Sequence, residues 1–153
     1  MLLVLISACL LSFLVILFSL LQYNRRNSGQ ARLLILTSNA IYNFLPVKFQ
    51  LRRRIDIRDL TSITLSRLCT DLIVLHHRYE HDYLLTSPKR AELIYHLQHA
   101  YHRLTAGRRT IEYEFSERLY VRDKNDMIRD VQILDSQSFK LGKPFHAQGV
   151  NTR

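Results

Sequence analysis

RRRIDIRDLTSITLSRLCTDLIVLH, the stretch from Arg52 to His76, decides the fold. It opens on a basic strand, turns at DIRDL (Asp56 to Leu60), and continues as TSITLS. In that last run Ile63 and Leu65 fall on one side, and Ser62, Thr64 and Ser66 on the other, the alternation of a half-buried strand. LIVLH is apolar without interruption and reads as a buried strand. The basic run places Arg52 and Arg54 on one strand face and Arg53 on the opposite one, with Asp56 or Asp59 available to pair with part of it.

The same grammar extends outward. Upstream, ARLLILTS (Ala31 to Ser38) and AIYNF flank the turn-forming Ser38-Asn39, which predicts a hairpin. Pro46 breaks the second strand, and KFQLRRRIDI follows as a third. Downstream, DYLLTS supplies a further strand after the charged turn Arg78-Tyr79-Glu80-His81. Ser87-Pro88 predicts a helix with Ser87 as cap and Pro88 at its first position. Leu93, Ile94, Leu97, Ala100, Tyr101 and Leu104 form one apolar stripe along it, and Gly107 ends it. TIEYEFS then alternates again, with Ile111, Tyr113 and Phe115 expected inward and Glu112 and Glu114 outward. The residues alone predict a mainly β domain closed by one long amphipathic helix. Beyond Val121 the pattern weakens to one short strand or helix near Ile128 to Leu134, and the residues from Ser136 onward are expected to be disordered.

With 153 residues the chain has room for one domain with a real core. Its formal net charge of +9 is carried after Leu21, which implies a polyanionic partner such as an anionic bilayer or nucleic acid. Cys9 and Cys69 cannot make a disulfide framework and read as reduced thiols of a cytosol-facing protein.

MLLVLISACLLSFLVILFSLL, residues 1 to 21, has no charge, no Gly and no Pro. At about 1.5 Å per residue such a run spans a hydrocarbon core of roughly 30 Å as one transmembrane helix. Arg25, Arg26 and Arg32 follow it, which would leave the main domain in the cytosol. A secretory signal peptide fits less well, since no basic residue precedes the run and no small-residue cleavage site follows it. A third reading is that a mis-assigned start replaces the native beginning. The expected domains are an apolar helix at 1–21, a folded domain at 22–121 and a weakly structured tail at 122–153.

Taken with YNRRNSGQARLLILTSNAIYNF (Tyr23 to Phe44) and DYLLTSPKRAELIYHLQHAYHRLTAG (Asp82 to Gly107), the chain from about Gln22 to Phe115 resembles the tail homology 1 (TH1) domain of class I myosins. That resemblance implies a pleckstrin-homology-like small barrel that binds acidic membrane lipids. It also implies that the loop before the first long strand holds phosphoinositide headgroups. Here the loop carries Arg25, Arg26 and Arg32, and Arg32 matches a headgroup-binding arginine position of the family. The other matched position, commonly lysine, is Gln22, and Arg25 and Arg26 are expected to compensate by less specific attraction. A guanidinium suits phosphate through bidentate hydrogen bonding. Arg52 and Arg54 make a secondary basic surface, and Lys89, Arg90, Arg103, Arg108 and Arg109 extend it.

No catalytic constellation is evident, and no phosphate-binding glycine loop marks a motor, so neither enzyme activity nor a cofactor is expected. His96, His99 and His102 recur at every third residue, but steps of three turn backwards around a helix by about 60° each and diverge. No cysteine or carboxylate completes the set, so no metal site is expected. Tyr42, Tyr79 and Tyr83 would be the stacking groups of a nucleic-acid binder, but no motif of that class accompanies them, and nucleic acid is not expected as a partner. The leading expectation is a single-pass protein that binds anionic phospholipids and links membrane to actin or myosin components. The alternative is a soluble myosin-tail-like interaction module, peripheral on membranes.

Overall fold

The computed structural model describes residues 15–146. Four strands, β1 (Ile16–Tyr23), β2 (Gly29–Leu36), β3 (Ala40–Leu45) and β4 (Gln50–Asp56), form an antiparallel meander. Three more, β5 (Leu60–Ser66), β6 (Leu72–His77) and β7 (Tyr83–Thr86), form a second one. β7 pairs with β1 and joins them. After the helix α1 (Arg90–Leu104), β8 (Glu112–Ser116) adds parallel to β5. The resulting eight-stranded sheet runs β4-β3-β2-β1-β7-β6-β5-β8, open at β4 and β8. A smaller sheet of β9 (Leu119–Arg122), β10 (Ile128–Ile133) and β11 (Phe139–Leu141) has the order β11-β10-β9.

Two cores follow from the period of two along the strands. The inner faces meet α1: Ile73 and Leu75 of β6, and Tyr83 and Leu85 of β7, share a cluster with Leu93, Leu97 and Tyr101. The outer faces of the same strands, through Leu72, Val74 and Leu84, pack on Leu119, Val121, Val131 and Phe139 of the small sheet. LIVLH is continuously apolar because β6 is covered on both sides.

Three expectations are corrected. The predicted transmembrane helix ends inside β1, which pairs with β2 from Ile16↔Leu36 to Tyr23↔Gly29 and with β7 at Leu21↔Thr86. Phe18 and Leu20 are buried while Leu17 and Leu21 stay exposed, a strand's alternation. Residues 1–14 of that run lie outside the described residues. Among the described residues, no helix is long and apolar enough to cross a membrane.

The second correction concerns α1, which has 15 residues and is therefore about 22 Å long, not the long helix expected. Ser87 Oγ accepts from Lys89 N at 3.2 Å and forms a turn ahead of the helix, so the helix starts at Arg90. Left-handed Ala106 and Gly107 (φ 51° and 75°) stop it. Hydrogen bonding leaves the large sheet open at β4 and β8, yet it curls around one core, so that Arg53 of β4 meets Glu80 of the β6–β7 turn and α1 packs on the inner face.

The third is β8. Ile111 just before it is buried, but Tyr113 and Phe115 are exposed, because β8 is an edge strand and both its faces meet solvent. In the C-terminal stretch, the expected boundary at 121 falls within β9, and β10 and β11 follow it.

The turn between β4 and β5 carries a pH-sensitive contact. Asp56 caps the single 3₁₀ turn Ile57–Asp59, accepting from Arg58 N at 3.0 Å and from Arg58 Nε at 3.1 Å. The Arg58 side-chain hydrogen bond, against the opposing effect of burial, holds the Asp56 carboxyl down to about 2. A depressed carboxyl stabilises the fold above its ordinary pKa and loses that contribution as pH falls through the folded value. Urea midpoints measured from neutral pH toward pH 2 should therefore fall less steeply in Asp56→Asn than in the parent.

Candidate functional site

One end of the large sheet gathers four turns. β1–β2 turns at residues 24–28, β3–β4 at 46–49 and β6–β7 at 78–82, all at the end set by Tyr23↔Gly29, Tyr23↔Leu84 and Leu45↔Gln50. The β9–β10 turn is tied to them where Asp82 N donates to Arg122 O at 2.9 Å.

The β1–β2 turn is closed by its own polar groups. Asn24 Oδ1 accepts from Arg26 N at 2.9 Å and Ser28 N at 3.2 Å, and Asn27 takes the left-handed conformation (φ 59°) that asparagine tolerates. Asn27 Nδ2 donates to Phe139 O at 3.2 Å, which fastens the turn to β11. A Cβ at Gly29 would lie 3.2 Å from the Tyr23 ring, so the ring closes over the base of the turn. Arg25 and Arg26 are exposed on this rigid loop, and among the described residues neither has a carboxylate within 4.0 Å.

Arg32 sits elsewhere. It faces Leu20 in the register and folds back along its own strand, donating to Ala31 O at 2.8 Å and to Gln30 Oε1 at 2.6 Å. Partial burial first, and the Arg52 charge second, push its guanidinium below its ordinary value. Gln22, the expected lysine position, accepts from Asn43 Nδ2 at 2.6 Å and contributes no charge.

The triple arginine run is split by a β-bulge at Asn43/Phe44, where Asn43 pairs with Arg53 but Phe44 with Leu51. Arg52 is the extra residue, exposed and without a carboxylate within 4.0 Å among the described residues. Arg53 pairs with Glu80 at 2.6 Å, and Glu80 also accepts from the Tyr83 hydroxyl at 2.9 Å. Burial works to raise the Glu80 carboxyl, but Tyr83, Arg53 and His77 together hold it below its usual range. Arg54 lies over the Tyr42 ring at 5.9 Å and 3.7 Å from Asp56. Of the secondary pair, both exposed, Arg54 is engaged by Tyr42 and Asp56, while the charge of Arg52 acts on Arg32.

A cavity of about 400 Å³ opens between the β1–β2, β6–β7 and β9–β10 turns, lined by Tyr23, Arg25, His81, Lys124 and Arg129 among others. Its carboxylates are already occupied. Asp82 accepts from His76 Nδ1 at 3.0 Å, Arg122 N at 2.9 Å and His77 N at 3.3 Å. Asp123 accepts from Asn125 N at 2.8 Å and faces Arg129 Nε at 3.5 Å. Burial, then the charges of Arg53 and Lys124, hold His81 below its ordinary value against weaker pulls from Glu80 and Asp82. A site with Arg25 and Lys124 on its wall and its acids neutralised suits an anion. The sequence reading missed Lys124, whose signal was the charged DKND turn between Val121 and Ile128, and named His81 only as part of the charged turn after His77 and of a histidine cluster without a metal's full ligand set. Tyr83 is buried at 2% exposure and offers no stacking surface.

Three likenesses accompany this geometry. The family model of the unconventional myosin tail, described as actin- and lipid-binding, matches residues 11–151. Myosin heavy chain IB of Acanthamoeba castellanii is 26% identical over 121 residues, 75% of this chain and 10% of that heavy chain. The chain thus spans about a tenth of the curated relative it matches. Among solved structures, the hSac2 domain of the human phosphoinositide phosphatase Sac2 superposes with a TM-score of 0.50 and 11% identity, covering 86% of this chain and 85% of that one. At that identity the likeness is one of fold.

Proposed function

Because this chain belongs to the myosin TH1 family of actin- and lipid-binding tails, we propose that it is a non-enzymatic module that attaches peripherally to anionic membranes through the four-turn end of its sheet. The observation that carries this reading is the set of cations gathered there. Arg25, Arg26, Arg52 and Lys124 each lack a carboxylate within 4.0 Å among the described residues. Each basic side chain near an anionic leaflet contributes about 1 kcal/mol, decaying over roughly 8 Å at physiological salt. A phosphorylated headgroup is the finer proposal for the cavity, with Arg25 and Lys124 as its donors. Linkage to actin or myosin components rests on the family's description and is assigned to no surface.

Sedimentation of the full chain with vesicles tests this. Phosphatidylcholine with phosphatidylserine should retain it, high salt should release it, and phosphoinositide at matched charge should bind it more tightly. Equal binding to pure phosphatidylcholine, or none to the anionic vesicles, would overturn the reading.

The cavity makes a separate prediction. A phosphate beside His81 offsets the repulsion from Arg53 and Lys124, so the His81 pKa should rise on binding. By linkage, affinity for a soluble inositol phosphate should then increase as pH falls through the His81 titration. An unchanged His81 titration by NMR in saturating ligand would place the phosphate outside the cavity.

A further inference from the structure

The β3–β4 turn is built against the ordinary rules for a surface hairpin. Its residues are Pro46, Val47, Lys48 and Phe49. Val47 is 97% exposed, Phe49 57% and the following Leu51 48%. Phe49 also holds φ at 46°, a left-handed conformation that favours glycine and is an outlier for a bulky side chain. Its ring stacks on Phe44 at 4.8 Å and 19°, which fixes it as a raised apolar face. The chain therefore accepts backbone strain and hydrated apolar surface to display these side chains, and beyond the Phe44 ring nothing within the described fold buries them.

Their surroundings identify what would. The turn carries Lys48 and stands at the same end as Arg25 and Arg26, with Arg32 one residue beyond the Leu33↔Phe44 pair. An apolar tip rimmed by cations matches an anionic bilayer interface, where the side chains enter the acyl boundary and the charges meet headgroups. A protein partner would need an acidic rim and an apolar socket at once. We infer that residues 46–49 form a wedge that inserts Val47 and Phe49 into the lipid interface when the basic turns dock. The inference rests on the lipid-binding reading above and gives it an orientation and a depth.

The chain contains no tryptophan, so Val47→Trp creates a single emitter. Val47 packs on nothing, so its replacement leaves folding intact. On vesicles containing phosphatidylserine and brominated-chain lipid, its emission should shift to the blue and be quenched. Tyr95→Trp serves as the control. Tyr95 is exposed on α1, where the adjacent His96, with His99 and Arg103, borders Thr37 and Ser38 at the other end of the sheet, and its emission should not change. Val47→Asp should weaken binding about tenfold or more, since it exchanges a buried aliphatic group for a charge.

Failure of the parent to bind anionic vesicles removes the lipid reading and the wedge together. If the parent binds, yet Val47→Trp keeps the emission of a water-exposed indole and Val47→Asp binds as the parent does, only the wedge fails. The apolar tip then belongs to another occupant, such as a protein or a second copy of this chain.

Discussion

Asp82→Ala is expected to cost about 3 kcal/mol of stability, the range for breaking a buried charged hydrogen-bond network. Its carboxylate is 7% exposed and joins three donors from two layers: His76 and His77 of β6, and the backbone of Arg122 in β9. Removing it leaves those donors without their shared acceptor at the cavity wall. It also loosens the clamp in which the Arg122 guanidinium donates to the carbonyls of His77 and Glu80. The unfolding midpoint should drop by about 10 °C for a domain of this size. Asp82→Asn keeps an acceptor and should lose less. Denaturant titration of parent and variants checks this, and a loss well under 1 kcal/mol in Asp82→Ala would mean that the two sheets are not coupled through this carboxylate.

The second large effect is on binding. Replacing Arg25, Arg26 and Arg32 together by alanine should weaken affinity for phosphatidylserine vesicles by about 100-fold, from roughly 1 kcal/mol per lost cation. Arg25 and Arg26 should account for most of it, because they are exposed on the turn while Arg32 is folded against Gln30 and Ala31. None of the three makes an ion pair within the described fold, so the triple variant should unfold at the parent's midpoint. Retained affinity in a folded triple variant would place the contact on another surface.

How far the sequence could be read depended on whether a local pattern had one structural meaning. The helical stripe did: Leu93, Ile94, Leu97, Ala100 and Tyr101 are all buried. The hairpin around Ser38-Asn39 also has one meaning, and β2 and β3 flank it. An uncharged apolar run has two, since a membrane helix and a strand in a sheet both tolerate it. Nothing local to ILFSLLQY reveals that β2 and β7 flank it. In TIEYEFS the alternation was real but its sign was not, because inward and outward depend on what covers a strand, and β8 lies at an edge. The last strands were faint because the small sheet needs few apolar residues of its own, Val131 and Phe139 sealing it onto Leu72, Val74 and Leu84.

The site divides in the same way. The arginine turn was legible as a local cluster, but Lys124 reaches Arg25 only through the docking of the small sheet on the large one. The bulge that frees Arg52 and ties Arg53 to Glu80 is likewise a product of pairing between strands. RRR alone carries no sign of it.

Hydrogen–deuterium exchange of the full chain with and without phosphatidylserine vesicles tests the central claim most directly. Membrane docking through the four-turn end predicts new protection at residues 24–28, 46–49, 78–82 and 123–127, with α1 and β8 unchanged. Protection along α1 or the β8 edge, with those turns exchanging as they do in the free protein, would contradict it.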